Sequence, residues 1–525
     1  MTKGKQQNKP KKTSGHAWVL ARRITQYLFL GSFLLLFIMS RRDGGWPGEW
    51  VNIPMRLDPL IGLAQLMASR TFLAGSALAL ITVLLTLVFG RALCGWICPL
   101  GTTLDFFPFH RIRAKKPAPP ESWRGLKYLL LVATLTAALL GNLSLLSLDP
   151  LTIFFRTLTT AIWPALDRGV IFVERALFSI PFLSDQVASF DAFIRPAVLP
   201  VSPATFQHAL LFGAIFLGIV ALNAVAERFW CRYLCPLGGL LGLVSKIALF
   251  KRKVGQDCPG CPVCSSDCPT GTIDPEKGYA SDPGECTMCL DCLESCPRGR
   301  IAFVPGQPGI LWNDYDPGRR ETLLTIAATS TAAMLVASGM LARREPSHLI
   351  RPPGAREANP DVLGLTKCIR CSECMRACPT NAIQPGVFEA GVQGFGAPLV
   401  IPRLGYCDFS CNACGQVCPS QAIPALSLEE KQLQVIGRAY IDENRCIAWS
   451  DHVDCIVCEE MCPLPEKAIQ LEEQEVWGRD NSHIVVKLPH VLRETCIGCG
   501  ICEYKCPVNG ESAIRVYVPE TGVPF

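Results

Sequence analysis

Several cofactor signatures are missing from this sequence. No Cys-x2-Cys-His run occurs, which excludes covalently attached c-type haem. Only seven histidines are present, and of these only His208 lies at the edge of an apolar run, so paired axial ligands for a b-type haem in a bilayer are lacking. No glycine group has the strand–GxGxxG–helix context of a flavin or nicotinamide site; Gly498 and Gly500 fall inside a cysteine loop. Charge is also scarce. A net charge of +5 over 525 residues gives nucleic-acid binding no electrostatic support. Hydrophobic residues make up 49% and mean hydropathy is +0.27, too apolar for an ordinary soluble protein. That balance predicts membrane segments joined to polar modules, and the length leaves room for several domains.

Cysteine is abundant instead. All 28 fall into eight short motifs, each ending in Cys-x3-Cys-Pro. Four motifs keep the run C-x2-C-x2-C-x3-C-P: Cys258, Cys261, Cys264, Cys268; Cys286, Cys289, Cys292, Cys296; Cys368, Cys371, Cys374, Cys378; and Cys496, Cys499, Cys502, Cys506. Two are stretched at the first gap: Cys407, Cys411, Cys414, Cys418 and Cys446, Cys455, Cys458, Cys462. In this spacing three close thiolates wrap one [4Fe–4S] cube, and the fourth ligates a neighbouring cube. Six motifs therefore predict six cubes. Disulfide frameworks belong to small secreted domains, and structural zinc demands neither the third cysteine nor the terminal Cys-Pro. By the two-cluster rule, Cys258, Cys261 and Cys264 should share a cube with Cys296, and Cys286, Cys289 and Cys292 with Cys268.

Apolar runs occur at about 24–40, 72–90, 127–147, 207–226 and 322–341, against the roughly 20 residues that a bilayer demands. The first precedes Ser40-Arg41-Arg42-Asp43 without a cleavage site, so it reads as an anchor. The stretch 151–180 carries Arg156, Asp167, Arg168 and Glu174 and reads as interfacial or re-entrant. Lysine and arginine concentrate in the tail from Lys3 to Lys12, in the loop from Arg91 to Lys116, and between Arg228 and Lys253, which predicts those segments on the cytoplasmic side.

The first 250 residues contain a duplication. Leu57-Asp58-Pro59-Leu60 and Leu148-Asp149-Pro150-Leu151 each precede a span, and each span is followed by Cys-x3-Cys-Pro-Leu-Gly, at Cys94/Cys98 and Cys231/Cys235. Both halves start inside, as parallel repeats do. The paired thiols share a helix face at i and i+4. They are candidates for an extra redox or metal site, or are packing cysteines beside a Cys-Pro helix end. Asp58 and Asp149 are candidate proton-handling, catalytic residues, or are Asp-Pro turn formers.

The predicted fold class is an α-helical membrane domain, four spans in two parallel repeats plus a fifth, with two ferredoxin-like α+β iron–sulfur domains. The predicted divisions are a basic tail (1–15), a membrane domain (16–250), a cytoplasmic two-cluster ferredoxin (251–305), a linker with Arg319-Arg320 and the fifth span (306–348), and a periplasmic four-cluster ferredoxin (349–525). The stretch 346–364 reads as a connecting linker. Arg319-Arg320 before an apolar run suits the twin-arginine pathway, which exports folded proteins, or an ordinary inside anchor.

With these motifs placed, residues 17–300 resemble the NapH-type membrane polyferredoxin. Residues 317–525 resemble the NapG/MauM-type exported four-cluster ferredoxin, including its x3 and x8 gaps. The resemblance implies a quinol dehydrogenase in the bacterial inner membrane, passing electrons from the quinone pool to a periplasmic c-type cytochrome or a reductase of nitrate or nitrous oxide type. It also implies nested ligation in the outer domain: Cys368, Cys371 and Cys374 with Cys506; Cys496, Cys499 and Cys502 with Cys378; Cys407, Cys411 and Cys414 with Cys462; Cys446, Cys455 and Cys458 with Cys418; sequential pairing is the alternative, and the gaps between motifs do not decide between the two. A maturation reductase for another metalloenzyme and a redox sensor are the rival readings.

Overall fold

The computed structural model describes residues 15–40, 48–71, 74–108, 119–200, 203–306, 324–331, 349–355, 367–387, 394–477 and 483–518, with Met334, Glu389 and Gly391. The basic tail, Arg41-Arg42, Arg319-Arg320 and most of the run 322–341 lie outside the described residues.

Residues 15–250 form a helical body. Among the described residues one helix, Gly15–Met39, is long and apolar enough to cross a membrane. The runs expected as further spans form shorter helices: Ala79–Phe89, Gly125–Leu139 and Ala209–Ala221. Their ends have local causes. Gly90, in a positive-φ conformation that suits glycine, stops the first of them, and Gly141 with φ 78° follows the second. The stretch 150–178 is helical throughout, with one π-helical turn at Leu158–Ile162 between Pro150–Thr157 and Trp163–Phe178. It is mostly buried as far as Pro164 and beyond that only Asp167 stays buried, an amphipathic course that suits an interfacial helix.

The two cysteine-rich units sit at opposite ends of this body. The first is closed by the antiparallel pair Phe250–Val254 and Ile301–Pro305, with the short pair Ile273–Asp274 and Ala280–Ser281 inside it. It docks against the N-terminal end of the first helix, where Arg22 meets Asp291 at 2.9 Å and His16 meets Glu294 at 2.7 Å. The second unit docks against the C-terminal end of the same helix. There Arg376 lies over the Phe37 ring at 4.6 Å and over Trp163 at 4.9 Å. A 25-residue helix is about 37 Å long at 1.5 Å per residue, and the two units meet it towards its opposite ends. Part of the expected linker is not a linker: Ile350 bridges to Val400, and Arg351 donates to the Pro398 carbonyl, so 349–355 is packed onto the second unit.

The inner docking face is built on charge. Glu285 of the first cysteine-rich unit is buried against Lys127 at 2.5 Å and Arg91 at 3.5 Å, both from the helical body. Gly95 permits the close approach, because a Cβ there would stand 2.2 Å from the Thr287 carbonyl oxygen. Trp96 donates to the Met288 carbonyl alongside. Replacing Glu285 by alanine leaves two buried cations without their carboxylate and is expected to cost about 3–5 kcal/mol. Thermal unfolding of the purified protein should show that loss, and an unchanged midpoint would mean that the docking seen here does not hold the units together.

Candidate functional site: iron–sulfur centres and a four-thiol core

Each complete cysteine motif wraps a short helix between its second and fourth cysteines. In the first unit the helices Val263–Ser266 and Asp291–Ser295 pack against each other. A small cavity is lined by Cys258, Cys261, Cys264 and Cys296. Cys268 lies instead within electrostatic reach of Cys286, Cys289 and Cys292. The fourth cysteine of each motif therefore stands beside the leading three of the other.

The cysteine loops carry a further feature that spacing alone does not display. Immediately before the second cysteine of all four unstretched motifs stands a residue of positive φ: Gly260, Met288, Arg370 and Gly498. Three of these residues are followed, just past the cysteine, by another: Leu290, Ser372 and Gly500. Left-handed residues alternating with ordinary ones turn successive amide N–H groups toward one side, the nest geometry that favours a negatively charged group. Backbone amides also donate to cysteine sulfurs, from Arg300 to Cys296, Ile423 to Cys418 and Ala439 to Cys496. Among the described residues no group of three or more His, Cys, Asp or Glu side chains is tight enough for a single metal ion. Thiolates that each bind a different iron stand farther apart than that. The donor set and the amide cradle fit iron–sulfur cubes.

The nested order expected for the second unit is not what the structure shows. Cys418 lies beside Cys368, Cys371 and Cys374, and Cys378 beside Cys407, Cys411 and Cys414. Cys506 lines one cavity with Cys446, Cys455 and Cys458, while Cys462 is a neighbour of Cys499. The exchange runs between successive motifs. Its cause is packing: the helix Glu373–Ala377 sits on Ala413–Gln416, and Val457–Glu460 on Ile501–Lys505, so each consecutive pair of motifs forms its own packed unit.

The four remaining cysteines come together in the helical body. Cys94, Cys98, Cys231 and Cys235 are buried in one core, which also contains Cys371 of the second unit. Cys98 and Cys235 each lie within electrostatic reach of Cys94 and Cys231. Two arginines lock the halves together reciprocally. Arg91 donates to the Cys231 carbonyl at 3.3 Å, and Arg228 donates to the Cys94 carbonyl at 3.4 Å. Both are buried, and Arg228 is paired with Asp105 at 2.5 Å. The repeat is therefore Arg-x2-Cys-x3-Cys-Pro-Leu-Gly, three residues longer than the cysteine pattern suggests. The arginines were visible in the sequence as members of basic loops; their identical offset from the cysteines is the signal that marks them. Gly238 is needed beside them, since a Cβ there would stand 2.7 Å from an Arg91 guanidinium nitrogen.

Asp58 and Asp149 meet in the same core. Each caps a helix that starts with proline: Asp58 Oδ1 accepts from the Leu60 and Ile61 amides, and Asp149 Oδ1 from those of Leu151 and Thr152. Both are buried, and each leaves Oδ2 without a hydrogen-bond donor. The two side chains lie within electrostatic reach of each other, and a proton on one of them relieves the repulsion between two such carboxylates. Burial pushes both carboxyls up from their ordinary range, and the Asp58 charge adds to the rise at Asp149. The turn-forming role is thus met by one oxygen of each residue, and the other oxygen is left available to a proton.

These features define an iron–sulfur protein of the electron-transfer class. A 4Fe-4S binding domain family matches residues 71–117 and 209–255, which include both arginine–cysteine repeats. A 4Fe-4S dicluster domain family matches 367–423, the first pair of motifs in the second unit, and a 4Fe-4S binding domain family matches 489–510. The methylamine utilization ferredoxin-type protein MauM of Methylorubrum extorquens is 31% identical over 215 residues, 39% of this chain and 92% of that protein. The ferredoxin-type protein NapG of Escherichia coli strain K12 is 32% identical over 205 residues, 38% of this chain and 85% of NapG. NapG of Haemophilus influenzae is 30% identical over 207 residues, 38% of this chain and 72% of that protein. The chain belongs to this MauM/NapG family of ferredoxin-type proteins. No solved structure matches it.

Two outcomes test the site. A fragment of residues 349–434 should bind about eight iron atoms, two complete cubes, after anaerobic reconstitution; nested ligation would leave it without a complete ligand set. Asp58→Ala should destabilise the protein by about 1 kcal/mol through the lost cap. Asp58→Asn keeps an acceptor for the cap and brings a donor to Asp149, so its thermal midpoint should equal or exceed that of the wild type.

Proposed function

We propose that this chain is a membrane-bound quinol dehydrogenase component in which a NapH-type helical body and its ferredoxin are fused to a NapG/MauM-type ferredoxin. Six [4Fe–4S] cubes are ligated by the twenty-four cysteines of the complete motifs, in the exchanged order described above. Cys94, Cys98, Cys231 and Cys235 hold one further iron–sulfur centre in the helical body. When bound, such clusters supply one-electron transfer. The observation that carries this reading is the placement of four buried thiols in a single core that reaches both ends of the body. Arg228 lies within electrostatic reach of Cys231 and of Cys289 in the first unit, and Arg156 of Cys371 in the second.

That placement answers a physical difficulty. With no haem motif in the chain, ferredoxins on the two sides of roughly 30 Å of hydrocarbon have no other carrier between them. The family match over both arginine–cysteine repeats supports a cluster at this position. The sidedness follows the basic residues: the unit at 251–305 faces the cytoplasm, the unit at 349–518 faces the periplasm, and the body crosses the inner membrane. The partners are the quinone pool and a periplasmic c-type cytochrome or reductase.

Quinol added anaerobically to the oxidised purified protein should produce the EPR signals of reduced clusters, with iron and acid-labile sulfide above the 24 atoms that six cubes require. A reporter fused after Phe525 should be active only as a periplasmic domain. Clusters that dithionite reduces but quinol leaves oxidised would remove the dehydrogenase reading, and a cytoplasmic reporter signal would remove the periplasmic partner.

A further inference from the structure

The helices Trp163–Phe178 and Ser184–Ala197 form a hairpin whose facing sides line an open cavity of about 800 Å³. Its wall is apolar, made by Ile162, Leu166, Val170, Val173, Val187 and Phe190 among others. One ionisable side chain interrupts it. Glu174 lines the cavity and is oriented by Arg195, which bonds one carboxylate oxygen at 3.2 Å and also reaches Asp167 and Asp191 on the same hairpin. The other oxygen of Glu174, Oε1, is buried and has no hydrogen-bond donor. An acceptor held in this way suits a ligand that brings a hydroxyl group to it.

Two further observations narrow the ligand. The outer face of the hairpin exposes large aromatic side chains, with Phe172, Phe182 and Phe193 each at least 75% exposed. An apolar surface of that kind reaches lipid, so the cavity can be filled from the hydrocarbon. At its other end the cavity begins at Ile162, packed against the core that contains Cys371. Beside Ile162, Trp163 is covered by Arg376 of the cysteine-bearing helix Glu373–Ala377. A lipid-soluble ligand with hydroxyl groups and redox chemistry meets all three conditions.

We propose that this hairpin cavity is the quinol-binding site of the protein, with Glu174 as the proton acceptor and Arg195 as the residue that positions it; this rests on the quinol dehydrogenase reading above. Oxidation breaks both hydroxyl O–H bonds of the quinol and leaves the quinone. One proton goes to Glu174 Oε1 and the other to water. The two electrons leave singly to two oxidised iron–sulfur centres of the second unit, each of which gains one electron.

Gly169 lines the cavity, and a Cβ there meets nothing within 4 Å, so Gly169→Phe fills the space without displacing the backbone. The experiment is photolabelling of the full-length, cluster-loaded protein with a short-chain azidoquinone, read by mass spectrometry, alongside the rate of quinol-driven cluster reduction. Label is expected on residues 162–190 in the wild type and should be displaced by unlabelled quinol. In Gly169→Phe the label is lost and quinol-driven reduction slows by about tenfold or more, while the dithionite-reduced spectrum and the thermal midpoint stay at wild-type values. Glu174→Gln keeps the cavity and the label but should slow reduction by about a hundredfold, the scale of a lost general base. Label elsewhere, or wild-type reduction rates in both variants, would overturn the cavity as the site while leaving quinol oxidation intact. A wild-type protein that quinol does not reduce at all removes both readings.

Discussion

The reciprocal crossing of Arg91 and Arg228 is the constraint on which the rest of the structure depends. Each guanidinium reaches from its own repeat to the carbonyl of the first cysteine in the other. Burying a cation is costly unless it is paired, and each pairing fixes a neighbour. Arg91 carries Glu285 and thereby the first cysteine-rich unit. Arg228 carries Asp105, which in turn accepts from Gln26 on the first helix. Four thiols are gathered between these contacts. A duplicated half can satisfy one arginine only if the other half is present, so the body forms as a pair of repeats.

The same pairing recurs among the carboxylates of that core. Asp58 and Asp149 occupy equivalent places in the two repeats, cap equivalent helices and leave equivalent oxygens uncovered. Two carboxylates so close cannot both be charged at little cost. The second cysteine-rich unit closes over this region through Gln65, which donates to the Ser420 carbonyl, and through Arg376 on Phe37 and Trp163. One fold thus brings a carboxylate pair, four thiols and both ferredoxin units into a single connected arrangement.

How much of this could be read in advance depended on the range of the signal. The six complete motifs mark an iron–sulfur protein because each is local, a few residues wide, and within 258–296 two adjacent motifs limit how their cysteines can meet. The order in the second unit was not readable, because the gaps after Cys378, Cys418 and Cys462 allow either order; the packing of Glu373–Ala377 on Ala413–Gln416 decides it. Arg91 and Arg228 looked like loop charges, since their value lies in contacts to a residue about 140 positions away. Asp58 and Asp149 were found by repetition, but that they meet depends on how the halves fold together. Apolar runs located the helices of the body, while glycines such as Gly90 and Gly141 set ends that hydropathy does not resolve. The cavity beside Glu174 left no motif at all, because it is made of ordinary aliphatic positions on two helices.

The central claim is that Cys94, Cys98, Cys231 and Cys235 hold a redox centre between the two ferredoxins. The most direct measurement is a cryo-EM map of the anaerobically purified full chain, paired with iron quantification on the same sample. The account predicts a seventh dense feature bonded to these four sulfurs, in addition to six cubes. Six cubes alone, with the four thiols free or joined in disulfides, would contradict it.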